Sequence, residues 1–373
     1  MKIALIIFRI GPSHGSILQT YALTRTLEKM GHDVSIIDRQ QPIDLFSASI
    51  TVLKRFGSKI LGRHKGPVFY FAEYPPQMMS NLDLFVNKEL KKRRFLRART
   101  ERQLSKIVDQ DYDVYIIGSD QVWRPKFVYN IYYYYLDFLP SDNRAKRIAY
   151  APSFGVDFWE YTEEQTKKCK ELAKLFNAIS VREYTGVHLC EKYLGVSAEH
   201  VLDPTMLLTQ SDYEALISQD SNAKENYIAY SVLDDSERSK EILNQISSCL
   251  NLPLKRINRD PKSPINNERY IEPGIETWLS GIRDASFVIT DSFHATVFSI
   301  IFHRPFFTIN NTMRGSSRFE SLLEMVGLKN RIIYDVNDIS TNDISTNLNW
   351  NDVDGRISKM RLKSIKYLKD NLR

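Results

Sequence analysis

The chain has 373 residues, 43% hydrophobic and 26% charged, the balance of an ordinary globular protein long enough for two domains. Its three cysteines, Cys169, Cys190 and Cys249, cannot pair off evenly and show no metal-ligand spacing, which disfavours a disulfide scaffold or a zinc site and points to a reducing cytoplasm. The formal charge of +6 comes with no RNP, zinc-finger or helix-turn-helix pattern, so nucleic acid fits poorly, and no apolar run reaches the roughly 20 residues that span a bilayer.

The opening MKIALIIF is too short for a signal-peptide core and lacks a cleavage site, so Lys2–Phe8 reads as a first strand. The turn Gly11-Pro-Ser-His-Gly-Ser16 follows and opens a helix, Ser16–Met30, that stops at Gly31. A Gly-rich turn at a helix start is a ready anion site, although it has neither the dinucleotide spacing nor the P-loop lysine; a plain tight turn serves equally well. Gln19, one turn in, is placed to bond a sugar or to hold the loop. Asp33–Asp38 reads as the second strand.

From Gln40 to about Gln110 the alternation weakens and helical insertion or irregular chain is expected. Within it Glu89–Lys106 carries a dense basic cluster on an expected helix. A solvated helix face is the favoured reading, and contact with anionic lipid or an acceptor's diphosphate the alternative; lipid contact would place a cytoplasmic protein peripherally at the inner membrane face. Val114–Gly118 is strand-like and ends in Gly118-Ser-Asp-Gln-Val-Trp123. Asp120 there either caps the next helix or joins Gln121 and Trp123 in a carbohydrate lining of polar forks and a flat apolar face; the three together favour the lining.

The strand Arg147–Ala151 runs into Tyr150-Ala-Pro-Ser-Phe-Gly155, whose polar point is Ser153. A helix over Glu163–Asn177, a strand over Ala178–Val181 and a helix over Tyr184–Tyr193 follow. Arg182 and Glu183, at that strand's end, read as an inter-element salt bridge, and Val201-Leu-Asp-Pro-Thr205 as the cleft wall or the approach to the linker. A second strand–helix series begins with Tyr227–Val232, Ser236–Leu250 and Leu254–Ile257. Ile275–Ala285 is helical, Phe287–Thr290 and Pro305–Ile309 are strands around a buried helix over Thr296–Phe302, Arg318–Gly327 is helical, and Val353–Arg373 is a basic amphipathic tail helix.

This alternation predicts an α/β protein of two Rossmann-like domains facing across a cleft: residues 1–208 with an insertion at 40–110, residues 209–345, and a C-terminal tail and helix at 346–373. Ligands in such sheets bind beyond the carboxyl ends of the strands. Phe287–Thr290 ends there in Asp291, Ser292 and His294, a carboxylate, a hydroxyl and an imidazole beside small Ala295.

In their order and spacing, GSILQTYAL (Gly15–Leu23), GSDQVW (Gly118–Trp123), YAPSFG (Tyr150–Gly155), SVRE (Ser180–Glu183), LDPT (Leu202–Thr205) and TDSFHATVFSI (Thr290–Ile300) resemble the polysaccharide pyruvyl transferase family over residues 3 to 334. The resemblance implies a GT-B-like fold and transfer of a pyruvyl group from phosphoenolpyruvate to sugar hydroxyls, giving a cyclic ketal and phosphate in surface-polysaccharide synthesis. It implies no metal or redox cofactor, with phosphoenolpyruvate as donor and a sugar or lipid-linked oligosaccharide as acceptor. Two departures stand out. Many relatives have Asn-Tyr where this chain has Ser13 and His14, and many have Arg-Leu-His where it has Ser292, Phe293 and His294.

The donor carries a carboxylate and a phosphate, for which bidentate Arg is the natural partner. With Ser at position 292, Arg318 and then Arg314 are the expected cations, and Ser292 and Asp291 complete the donor side. His294 is the candidate acid/base because imidazole titrates near neutrality. Asp120 would orient an acceptor hydroxyl. Gly15, Gln19, Gln121, Trp123 and Ser153 make the expected acceptor side. The rival readings are a nucleotide-sugar glycosyltransferase and a non-catalytic glycan-binding relative.

Overall fold

A computed structural model describes residues 1–42, 45–61, 74–108, 110–217, 226–260, 262–263, 268–311, 315–339, 344 and 347–373. The strands of the first half form one all-parallel sheet of seven, β1 (Lys2–Ile7), β2 (Asp33–Arg39), β3 (Phe95–Ala98), β4 (Val114–Ile117), β5 (Lys146–Ala149), β6 (Ala178–Val181) and β7 (Glu199–His200), in the order 3-2-1-4-5-6-7. Those of the second half, β8 (Ile228–Ser231), β9 (Leu254–Arg256), β10 (Phe287–Thr290), β11 (Phe306–Ile309) and β12 (Ile332–Ile333), form a parallel sheet in the order 12-11-10-8-9.

The central strands are continuous apolar runs with every residue buried in β4, β10 and β11, as expected where helices cover both faces. The helices that matter below are α1 (His14–Lys29), α2 (Leu45–Ile60), α3 (Pro76–Phe85), α4 (Glu101–Val108), α5 (Glu163–Ala173), α6 (Tyr184–Leu189), α7 (Gln210–Glu214), α8 (Glu237–Leu250), α9 (Ile275–Arg283), α10 (Phe293–Ile301) and α11 (Ser317–Met325).

Each sheet reverses its strand order once, between β1 and β4 and between β8 and β10, and crevices open at such points. Thr290 pairs with Ser231 across the second reversal, and its hydroxyl donates to the Ser231 carbonyl at 2.6 Å. At the first, α1 is buried on nearly all sides, because β1 covers one flank and the second domain the other. Leu18, Tyr21 and Ala22 of α1 share one apolar core with Trp278 of α9 and Phe298 of α10. The two domains therefore meet through packed helices.

The tail folds as the expected helix, Trp350–Asn371, and returns to the first domain. Tyr367 donates to the Ala149 carbonyl at 3.0 Å, and Ser364 accepts from the Leu202 amide at 2.9 Å. Gly31, the expected stop of the first helix, sits at positive φ, as do Gly195 and Gly327.

One expectation fails. Glu89–Lys106 is not a single basic helix: β3 lies within it as the edge strand of the first sheet, followed by α4. Three of its eight cations are paired, Arg93 with Glu28, Arg97 with Asp38 and Lys92 with Glu89, while Leu90 and Leu104 are buried. A four-residue strand flanked by Lys and Arg gives little periodicity, and charged residues are how exposed sheet edges are protected. Cys169 and Cys190 are buried in the core and Cys249 is exposed; all three are free.

Candidate functional site

The N-termini of α1 and α10 meet where the two domains join. Ser13 caps α1, its side chain accepting from the Ser16 amide at 3.3 Å, and Gly15 follows in the first turn. A Cβ on Gly15 would lie 1.9 Å from Nδ1 of His294, so the imidazole rests directly on the glycine backbone. Glycine is required here for close approach, its φ being helical.

Beneath the ring lies Asp203, at the start of a short 3-10 turn, Pro204–Leu207. Its carboxylate accepts from Gln19 Nε2 at 2.5 Å, Arg182 Nη1 at 2.7 Å, the Thr205 amide at 3.0 Å and the Thr205 hydroxyl at 2.6 Å. His294 Nε2 is 3.6 Å from it, beyond a hydrogen bond but within ion-pair range once the ring is protonated. Burial alone would raise the Asp203 pKa, but His294, Arg182 and Thr205 outweigh burial and hold it well below the usual carboxylate range. Gln19 also donates to Ser119 Oγ at 3.0 Å, which in turn donates to the Ala151 carbonyl at 2.8 Å. The ends of α1, β4, β5 and β6 are thus tied to one carboxylate.

Arg182, at the end of β6, is only 5% exposed. One nitrogen is held by Asp203, while its Nε and Nη2 are buried without a hydrogen-bond partner among the described residues. Leaving such donors unmatched costs about 1–3 kcal/mol each, a cost that a bound anion or water would remove. The guanidinium lies 4.6 Å from the Phe293 ring centre, and that of Arg318, in the first turn of α11, lies 5.5 Å from the same centre, which bounds their separation at about 10 Å. Burial, then the charge of Arg182, pushes the Arg318 guanidinium down to about 9, with Asp120 and Glu183 opposing. It remains a cation at neutral pH.

Asp120 follows β4 with φ of +107°, a conformation that non-glycine residues avoid. Its carboxylate accepts from the Gln121 amide at 2.7 Å. Strain of this kind persists only where surrounding structure imposes it, and it concentrates at functional sites. Gln121 accepts from Arg124 at 3.2 Å and abuts Gly155, where a Cβ would lie 2.1 Å from its Oε1. Gly155 is also where the second domain touches the first, since Ser317 of α11 donates to its carbonyl at 3.3 Å.

The structure brings Gly15, Gln19 and His294 together, and sets Arg318, with Asp120 acting on its charge, at the same junction. It places others elsewhere. Trp123 is fully buried, stacked on Tyr135 at 4.8 Å and donating to the Tyr134 carbonyl, so it is core and offers no face to a sugar. Ser153 is buried too and donates to Glu183, whose carboxylate also accepts the Phe154 and Gly155 amides. Asp291 turns into its own domain, where its oxygens accept the Leu233 and Asp234 amides at 2.7 and 2.9 Å and brace the loop after β8. Ser292 caps α10 by position and makes no side-chain cap bond. Arg314 lies outside the described residues. The residues missed are Arg182 and Asp203. Their ion pair is the salt bridge expected of Arg182, but its second role rests on nitrogens only the fold reveals.

Residues 14–312 match the sequence pattern of the family described as Polysaccharide pyruvyl transferase. The chain belongs to the polysaccharide pyruvyl transferase family. Gly15, Gln19, Asp120, Arg182, Asp203 and His294 fall within that match, and Arg318 lies beyond it. No curated protein matches the chain by sequence.

Among solved structures, a Listeria monocytogenes protein assigned as a UDP-N-acetylglucosamine 2-epimerase superposes with a TM-score of 0.54 at 10% identity, covering 97% of this chain and 90% of that one. The UDP-GlcNAc 2-epimerase of Neisseria meningitidis, bound to UDP-GlcNAc, gives 0.50 at 10% identity over 100% of this chain and 99% of its own. UGT89C1 of Arabidopsis thaliana, complexed with UDP-L-rhamnose, gives 0.50 at 12% identity over 99% and 97%. At such identities the likeness establishes the fold alone: two Rossmann-like domains in the GT-B arrangement.

Proposed function

We propose that this member of the pyruvyl transferase family uses phosphoenolpyruvate as donor and forms a cyclic pyruvyl ketal on a sugar carrying two suitably placed hydroxyls. The observation that carries the reading is the buried pair Arg182 and Arg318, flanking Phe293 beside His294. Two guanidinium groups in a region of low polarity suit a small dianionic or trianionic ligand, and Arg182 has donors to spare. In this reading they take the place of the cation that many relatives carry where this chain has Ser292, one from the end of β6 and one from the start of α11.

In this reading His294 passes a proton to or from the reacting carbon and oxygen, and Asp203 steadies the imidazolium without itself becoming protonated. A proton adds to the methylene carbon of the enol while an acceptor hydroxyl oxygen bonds to the carbon bearing phosphate and surrenders its own proton. A second hydroxyl then displaces phosphate at that carbon, closing the ketal and releasing inorganic phosphate. Asp120, at the carboxyl end of β4, is the group assigned to orient the acceptor hydroxyl, and Gln121 would line the approach.

The test is a calorimetric titration with phosphoenolpyruvate beside a panel of nucleotide sugars. Saturable binding of phosphoenolpyruvate, with phosphate released only when a diol-bearing glycan is added, supports the reading. Saturable binding of a nucleotide sugar and none of phosphoenolpyruvate would make the protein a glycosyltransferase of the same fold.

A further inference from the structure

α2 stands out among the helices of the described residues. Of the fourteen exposed large apolar side chains among the described residues, five fall within twelve consecutive positions: Ile50, Leu53, Phe56, Ile60 and Leu61. Leu53 is 69% and Ile60 72% exposed, so both side chains present most of their surface to solvent. At 100° per residue, Ile50, Leu53, Phe56 and Ile60 occupy one arc of about 120°. Lys54 projects at one margin of that arc and Lys59 at the other, and Leu45–Ile60 contains no Asp or Glu. An exposed apolar ridge of this size ordinarily marks a contact surface.

Charge decides which contact. A purely apolar ridge would suit a second copy of the chain. A ridge bordered by lysines with no acid on the helix repels its own copy and attracts a surface that is apolar beneath an anionic layer. The helix, about 24 Å long at 1.5 Å per residue, can lie in the boundary between head groups and acyl chains, its lysines reaching outward to phosphate. Among the described residues no helix is long and apolar enough to cross a membrane, so the mode is lying on rather than spanning.

We infer that α2 docks this protein onto an anionic phospholipid bilayer, through Leu53, Phe56 and Ile60 inserted between lipids and Lys54 and Lys59 on phosphate. The contact belongs here, and not to the basic stretch Glu89–Lys106, which has cations but no exposed large apolar side chain, Leu90 and Leu104 being buried. The inference is independent of the donor chemistry, and any acceptor carried on a lipid would meet the protein at the surface where it sits.

The test is sedimentation of the full chain with vesicles of phosphatidylglycerol and phosphatidylcholine, against phosphatidylcholine alone. Binding at least tenfold stronger to the anionic vesicles, lowered at least tenfold in Leu53→Ser/Phe56→Ser and severalfold in Lys54→Glu/Lys59→Glu, is expected, with the melting temperature of both variants near that of wild type. Arg102→Glu/Lys106→Glu on α4 should bind as wild type does. Equal binding to the two vesicle types, or unaltered anionic binding in the α2 variants, would overturn the inference. So would a dimer in light scattering that Leu53→Ser/Phe56→Ser dissociates while no vesicle is bound, since the ridge would then join two copies.

Discussion

The imidazole of His294 lies against the backbone of Gly15 so closely that a Cβ at that position would fall 1.9 Å from Nδ1. The contact crosses from one domain to the other, and it fixes the ring's place relative to Asp203 on its far nitrogen. Gly15→Ala should therefore push the ring aside while raising the intrinsic helix propensity of α1 by about 0.5–1 kcal/mol. The expected result is a loss in kcat of about 100-fold, since misplacement of a reacting group by 1 Å has effects of that order. Thermal unfolding should move by only a few degrees. Turnover near wild type in Gly15→Ala would mean that the ring position is not used.

Asp203 gives a prediction in acid. Its folded-state pKa is depressed, so its contribution to stability is present above the ordinary carboxylate value of about 3.9 and is lost as pH falls through the lower folded value. Wild type should accordingly lose stability as pH drops below about 4. Asp203→Asn should be less stable at neutral pH by about 3–5 kcal/mol, because Arg182 is left buried without its counter-charge, and should show less of the acid loss. Urea unfolding of both proteins between neutral pH and the acid limb tests this. Parallel pH profiles would show that the carboxylate is not the group responsible.

His14 makes a second pH-sensitive joint, closer to neutrality. Its ring stacks on Trp278 at 4.9 Å and bonds the Pro273 carbonyl at 2.8 Å, joining α1 to α9 across the domain boundary. Burial pushes its pKa down from 6.5 to about 4, only partly opposed by the Pro273 bond. A depressed folded pKa means that the neutral ring stabilises the fold fully above 6.5 and progressively less as pH falls toward 4. The span corresponds to a loss on the order of 3 kcal/mol. His14→Phe keeps the stack and cannot titrate, so its stability should be flatter over this range. A melting temperature with the same slope in both proteins would assign the acid sensitivity elsewhere.

What the sequence made legible, and what it did not, follows from how far apart the cooperating residues lie. β1, β4 and β10 are continuous apolar runs between turn residues, and such runs declare themselves locally. His294 could be singled out because it sits a few residues beyond a strand end, a position whose meaning is topological. Arg182 could not be assigned an anion, since its free nitrogens appear only once Asp203, 21 positions later, has taken one of them. Trp123 misled for a related reason. Beside Asp120 and Gln121 it resembles a sugar platform, but the run Tyr133–Tyr135 closes over it and supplies both its stacking partner and its acceptor carbonyl. β3 was hidden by its own charges.

Arg318 separates binding from folding. Without ligand the cation is buried in the neighbourhood of the Arg182 and Arg124 charges, and both that burial and those charges disfavour it. An anion bound between the arginines relieves the repulsion, so phosphoenolpyruvate should raise the melting temperature of wild type by several degrees at saturating concentration. Arg318→Ala removes the repulsion along with the donor contact, and the unliganded variant should melt within a few degrees of wild type. The rise on adding phosphoenolpyruvate should be largely abolished and KM raised about 10- to 100-fold, with kcat less affected, as for loss of an interaction present before and during reaction. Arg318→Lys should recover part of the binding, since a point charge replaces the charge of the guanidinium without its two-pronged geometry. If Arg318→Ala keeps both the thermal shift and KM, the donor lies elsewhere and the buried arginines serve the fold alone.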